Sequence, residues 1–231
     1  MTIKHFFFGI VLLALCVVAT SCDGDPISDK KWVTVYQNIT LRNQLNYTNG
    51  HFLKLKTGES VKLENVTGQE QYMAFLIYTD YGGNCNFTFP ANAADATAYP
   101  NTLKTNRLFI QANVGLNHWD AAKMVNGMIY KTSKMTAADF SKLTSSKDWA
   151  QFDAAFRDNN GGEEYMNHLS YALTPSAGNV YLLQFNGVVR AIMCAKSYVT
   201  KVDGSSAYTF DIIVESREAN AGLNPAKYLQ P

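Results

Sequence analysis

The side chains with the most specific chemistry in this sequence are histidines and methionines in its middle. His118 and Met135 lie in one irregular stretch, and Met166 and His168 follow the Gly161-Gly162 break. Imidazole nitrogen and thioether sulfur are common axial ligands of haem iron. One such residue on each face of a porphyrin would form a clamp. The alternative interpretation is that each histidine is an ordinary solvent-exposed or capping loop residue.

No recognised catalytic motif accompanies these residues. The sequence contains no GxSxG nucleophile elbow, HExxH zinc motif, phosphate loop or glycine-rich dinucleotide fingerprint. Glu163 and Glu164 are adjacent, and adjacent strand positions point to opposite faces, so they fit a solvated edge better than an acid/base pair. We therefore expect a binding protein and not an enzyme.

The cysteines leave a structural question open. Cys16 lies in the N-terminal apolar run, Cys22 follows it, and Cys85 and Cys194 lie in the body of the chain. In an exported protein these last two could form a disulfide, or they could be two buried thiols. Neither has the spacing of a structural zinc site.

The N-terminus has the pattern of a secretory signal. Lys4 precedes an apolar run, Phe6 to Ala19, which is shorter than the roughly 20 residues needed to span a bilayer. Thr20 and Ser21 then lead to Cys22, as in a bacterial lipobox, although Ala19 replaces the usual leucine. We expect a signal peptide at residues 1–21, a lipidated Cys22 and a tether at 22–30. The alternative is ordinary signal peptidase cleavage after Ser21.

Charge limits the partners of the mature chain. The sequence has 20 basic and 19 acidic residues, and the signal carries one basic residue, so the mature chain is neutral. Nucleic acid is therefore not an expected partner, because it requires a basic surface. Any membrane attachment is expected to come from the lipid alone. The acidic residues Asp23 and Asp25 resemble the surface-export signal of Bacteroidetes lipoproteins, which implies an outer-membrane protein exposed at the cell surface.

Alternating and short apolar runs predict a mainly β domain at residues 31–217, made of antiparallel sheets, followed by a C-terminal tail at 218–231. Asn186-Gly187 is a strong hairpin signal. The predicted strands lie at residues 32–39, 52–56, 61–63, 72–78, 107–114, 180–185, 188–199 and 207–214, and residues 90–106 are predicted to form a loop.

One or two helices are predicted in the middle of the domain. Thr136 and Asp139 form a possible N-cap, and Ser145 or Ser146 is expected to cap a second helix. That helix places Trp149, Phe152 and Phe156 on one face, which is typical of a helix packed on a core.

Four segments resemble the HmuY-type haem-binding lipoproteins of Bacteroidetes. The segment 51–63 is similar to the family's first hairpin, and Met73-Ala74-Phe75 follows where the family has a buried strand, with Gln71-Tyr72 in place of its Trp-Asp pair. The segment 179–196 is similar to its C-terminal hairpin, and 208–214 to its closing strand.

The resemblance implies an antiparallel β fold that binds haem and passes it to a TonB-dependent outer-membrane receptor. An axial histidine shortly after a Gly-Gly pair implies His168 as one ligand. His118 and Met135 rank first for the second ligand, and Met166 could replace His168. The competing hypotheses are a lipoprotein of the same fold that binds another hydrophobic ligand or a protein partner, and an exported hydrolase without a recognisable motif.

Overall fold

The fold is mainly β, as predicted, with two five-stranded antiparallel sheets and helices on both outer faces. The computed structural model describes residues 31–45, 50–79, 85–94, 107–110, 112–159, 171–173, 176–187 and 189–217. The predicted signal peptide, tether and C-terminal tail lie outside these ranges. Among the described residues, no helix is both long and apolar enough to cross a bilayer.

The first sheet, sheet A, has the strand order β1-β10-β9-β8-β6. Its strands are β1 (Lys31–Arg42), β6 (Gly127–Thr132), β8 (Val180–Phe185), β9 (Val189–Thr200) and β10 (Ser206–Arg217). The predicted hairpin is confirmed, because Asn186 and Gly187 both have positive φ, 48° and 68°, between β8 and β9.

The second sheet, sheet B, has the strand order β3-β2-β4-β5-β7. Its strands are β2 (Phe52–Lys54), β3 (Glu59–Val61), β4 (Met73–Thr79), β5 (Cys85–Thr88) and β7 (Tyr171–Leu173). In the turn from β2 to β3, Gly58 has φ +71°, and a Cβ atom there would clash with the ring of Tyr36 from β1. The Tyr36 hydroxyl donates to the carbonyl of Lys56 at 2.5 Å, which ties sheet A to this hairpin.

Apolar residues alternate along the strands and fill the space between the sheets. Phe75 and Phe87 of sheet B stack with centroids 4.8 Å apart, and Phe210 of sheet A meets both rings edge-on at about 6 Å. Such aromatic pairs add stabilisation beyond the buried area itself. This cluster, which also includes Phe89 and Tyr208, is the central core.

Two helices cover the outer face of sheet A and form the α3–α4 layer. They are α3 (Ala137–Ser146) and α4 (Trp149–Asn159). The predicted cap of α3 is confirmed as a full capping box between Thr136 and Asp139. The predicted cap of α4 is wrong, because the Asp148 carboxylate, and not Ser145 or Ser146, accepts from the backbone N–H of Gln151 at 2.8 Å.

Short helical turns cover the outer face of sheet B and form the short-helix layer. They are α1 (Pro90–Ala94), α2 (Arg107–Ile110) and the 3-10 helices Leu63–Asn65, Glu70–Tyr72, Leu116–His118 and Ala121–Lys123. The predicted loop therefore begins with a helix, and proline suits its first turn. The strand predicted at 107–114 is wrong. A single helical turn suffices to bury Leu108 in this layer, and Asn113 then turns the chain with φ 67°.

Candidate functional site

His118 is the candidate ligand that the structure presents to solvent. It ends the 3-10 helix Leu116–His118, and its backbone N–H donates to the carbonyl of Gly115 at 2.8 Å. Its neighbours Leu116 and Trp119 are buried against sheet B, whereas the His118 side chain is exposed. The short helix therefore holds the imidazole outward.

Trp119 fixes the position of this helix. Its side chain is 8% exposed, and its ring packs against Phe52 of β2 with centroids 5.1 Å apart. The indole N–H donates to the carbonyl of Val114 at 2.9 Å. Because both the apolar face and the polar edge of the ring are engaged, the backbone next to His118 has one well-defined arrangement.

Met135 lies in the other outer layer. It precedes α3 and is buried among Tyr130, Phe140 and Leu182 on the outer face of sheet A. The two sheets and the central core separate this residue from the layer that carries His118. The two alternatives for the second haem ligand therefore lie on opposite faces of the sandwich, and Met135 is engaged in core packing.

Three other candidates, Met166, His168 and Cys22, lie outside the described residues. The described chain stops at Asn159, whose side-chain carbonyl accepts from the Thr132 hydroxyl at 2.9 Å. It resumes at Tyr171, which pairs with Thr88 of β5.

His51 has a structural role. It is 2% exposed, and its Nδ1 atom accepts from the backbone N–H of Leu63 at 3.3 Å. Within the described ranges, no three His, Cys, Asp or Glu side chains are grouped closely enough to hold a metal ion.

Cys85 and Cys194, the two cysteines in the described part of the chain, are buried and are not joined in a disulfide. Cys85, on β5 of sheet B, faces the central core, whereas Cys194, on β9, faces the α3–α4 layer, so sheet A lies between the two side chains. Burial raises the pKa of the Cys194 thiol, and the nearby Asp211 carboxylate raises it further. The thiol is therefore a poor nucleophile at neutral pH.

A buried ion network on sheet A is absent from the sequence predictions. The Arg190 guanidinium makes two hydrogen bonds to Glu215, 2.8 Å and 2.9 Å long, and a third contact of 2.8 Å to Asp153 of α4. It also lies over the rings of Phe152 and Phe156, at 5.7 Å and 5.2 Å. Arg190 and Glu215 each interrupt an apolar run in the sequence. This interruption is the sequence feature that could have indicated the network.

The electrostatics of the network favour its charged form. Desolvation raises the pKa of the Asp153 carboxyl, but the hydrogen bond and charge of Arg190, with smaller contributions from Arg157 and Lys31, lower it overall. The Glu215 side chain is 2% exposed and receives a bidentate contact, the strongest geometry for this pair. The network fastens α4 to β9 and β10, so its role is structural.

A second buried polar group lies between the sheets. The Tyr208 hydroxyl has no hydrogen-bond partner among the described residues. Burial raises the pKa of this phenol far above its ordinary value, with further contributions from Tyr181, Cys85 and Tyr198. The phenol remains protonated and supplies no base.

Searches of protein-family models, curated proteins and solved structures each returned no match to this chain.

Proposed function

We propose that the chain is a lipoprotein, anchored through Cys22 and exposed on the outer membrane, that binds haem and passes it to a TonB-dependent receptor. His118 and His168 are the proposed axial ligands. The observation that carries this proposal is the exposed imidazole of His118, held outward on a packed frame of Leu116 and Trp119.

The topology supports His118 as the partner of His168. Strand β7 begins three residues after His168, and its first residue, Tyr171, pairs with Thr88. Helix α1 starts two residues after Thr88 and contacts the 3-10 helix that ends at His118. The chain that carries His168 thus continues into the same sheet whose outer layer carries His118.

The same reasoning disfavours Met135. Its thioether is enclosed in the α3–α4 layer, on the face of the sandwich opposite His118. Met166 is two residues from His168 and remains a possible replacement for it. Two axial side chains would leave haem iron without an open position, so the proposed role is transport and not oxygen or redox chemistry.

A haem titration tests this proposal. Haem is added to residues 23–231, the mature chain without the lipidated Cys22, and the visible absorption spectrum is recorded for the wild type and for His118→Ala, His168→Ala and Met135→Leu. We expect a saturable, sharp Soret band that is lost or shifted in both histidine variants. Met135→Leu is the matched control, because it keeps the core volume, and it is expected to bind as the wild type does.

Two results would contradict the proposal. Absence of a specific band in the wild type would reject haem binding. A band that survives His118→Ala but is shifted by Met135→Leu would reject the ligand assignment and retain haem binding.

The second candidate function is binding of a protein partner by the same fold. Val199 is 55% exposed, Val202 is fully exposed, and Leu45 approaches Gly204 in the same β9–β10 turn. Exposed apolar side chains gathered at one site favour a protein contact. If no haem binds, Val202→Asp provides the test, since it should abolish association with the partner and leave the unfolding curve unchanged.

A further inference from the structure

One end of the sandwich, here called the tether end, carries the start of β1 and the junction between α3 and α4. Lys31 begins β1 opposite Arg217, and its ammonium group lies 4.9 Å from the ring centre of Trp149. Lys147, exposed and with φ 51°, connects the two helices. Two lysine ammonium groups and one indole ring therefore lie where the chain enters the domain, beside the exposed carboxylate of Asp148, which caps α4.

We propose that the tether end lies against the headgroup phosphates of the membrane leaflet in which the chain is anchored. This inference rests on the proposed lipidation of Cys22. The nine residues from Cys22 to Lys31 reach at most about 30 Å when fully extended, which keeps this end close to the bilayer. The tether thus keeps the start of β1 within reach of the bilayer.

The chemistry of the tether end fits that contact. Lysine ammonium groups bind headgroup phosphates, and tryptophan is enriched at membrane interfaces because its ring is apolar with one polar edge. Trp149 is half-buried, so part of its side chain is exposed at this end of the domain. A neutral chain gains little long-range attraction, so the acyl chains supply the attachment and this surface supplies the orientation.

The end of the sandwich opposite the tether end carries the β9–β10 turn. Strand β1 has 12 residues and separates the tether end from the β9–β10 turn by about 37 Å. Val202, in that turn, is fully exposed. In the proposed orientation the turn points away from the bilayer.

The test uses a fluorophore at either end of the full lipidated chain. Ser145→Cys, on an exposed position near Lys147, and Val202→Cys are each labelled with nitrobenzoxadiazole. Cys85 and Cys194 are buried, so the unsubstituted chain is the control for background labelling. Each protein is reconstituted into vesicles of phosphatidylethanolamine and phosphatidylglycerol containing brominated phosphatidylcholine, and vesicle flotation measures anchoring.

We expect the label at residue 145 to shift to the blue and to be quenched by the brominated lipid at least about twofold more than the label at residue 202. Equal quenching at the two positions, or stronger quenching at 202, in a chain that floats with the vesicles would overturn the orientation alone. A chain that does not float would overturn the anchoring at Cys22 and the orientation together. As a second variant, Lys147→Glu should reduce the quenching at 145 without reducing flotation, and unchanged quenching would reject the headgroup contact.

Discussion

The two outer layers of the sandwich are built in different ways. The α3–α4 layer consists of two regular helices with side-chain caps, fastened to sheet A by the Arg190 network. The short-helix layer consists of single turns, several of which bury one apolar residue against sheet B, such as Leu63, Leu108 and Leu116. The first layer combines apolar packing with capped helices and one buried ion network, whereas the second combines apolar packing with isolated local contacts such as the indole hydrogen bond of Trp119.

The two layers also differ in how they present their candidate haem ligands. In the α3–α4 layer the candidate ligand Met135 is part of the core, whereas in the short-helix layer His118 projects outward from a packed frame. Binding residues are commonly found on irregular segments that a rigid scaffold positions. The contrast thus favours the short-helix layer as the place to search for a ligand.

Removal of Arg190 should have the largest effect on this contrast. In Arg190→Met, Glu215 would remain buried without its counter-charge, and we expect a loss of roughly 3–5 kcal/mol in the free energy of unfolding. Urea denaturation measures this loss in the free energy of unfolding. Lys142→Met is the control, because Lys142 forms an exposed ion pair with Asp139. A loss similar to that of the control would show that α4 is held by apolar packing alone.

The next largest effect is expected in the short-helix layer, where two adjacent residues should behave differently. Trp119→Ala removes a buried ring and should cost about 3 kcal/mol of stability. His118→Ala changes an exposed side chain and should stay within about 0.5 kcal/mol. Urea unfolding midpoints of the two variants test this, and a large loss in His118→Ala would mean that the imidazole has a structural role.

The sequence predicts the regular parts of the fold because their signals are local. The Thr136 and Asp139 spacing specifies a capping box, the Trp149, Phe152 and Phe156 spacing specifies an apolar helix face, and Asn186-Gly187 specifies a hairpin. Each of these signals acts within a few residues of the chain. The mainly β class follows from the same kind of alternation.

The remaining features depend on contacts between distant residues. Arg190 and Glu215 meet only through the pairing of β9 with β10, and a shift of one residue in that pairing would separate them. Residues Arg107–Ile110 are helical because one turn buries Leu108, and no periodic pattern marks that turn. The sequence identified His118 and Met135 as equal candidates, since it does not specify which face of a sheet each residue covers.

The smallest predicted effect concerns the cap of α3. The hydrogen bonds of Asp139 with Thr136 lower the pKa of this exposed carboxyl from its ordinary 3.8 to about 2, and Lys142 contributes to the shift. Because the pKa is lowered in the folded state, the ionised carboxylate stabilises the helix above pH 3.8, and this contribution is lost as the pH falls toward 2.

Thr136→Ala should bring the pKa of Asp139 back toward 3.8 and reduce stability by about 1 kcal/mol at neutral pH, since an N-cap hydroxyl is removed. Carboxyl NMR titration of the wild type and the variant measures the pKa, and urea unfolding measures the stability. Thr144→Ala is the control, because it removes a threonine hydroxyl from the last turn of the same helix, where the hydroxyl donates to the carbonyl of Ser141 and not to Asp139. An Asp139 pKa that stays near 2 in Thr136→Ala would attribute the shift to Lys142 and the helix dipole, and the order of α3 would then depend less on its cap than on its packing against sheet A.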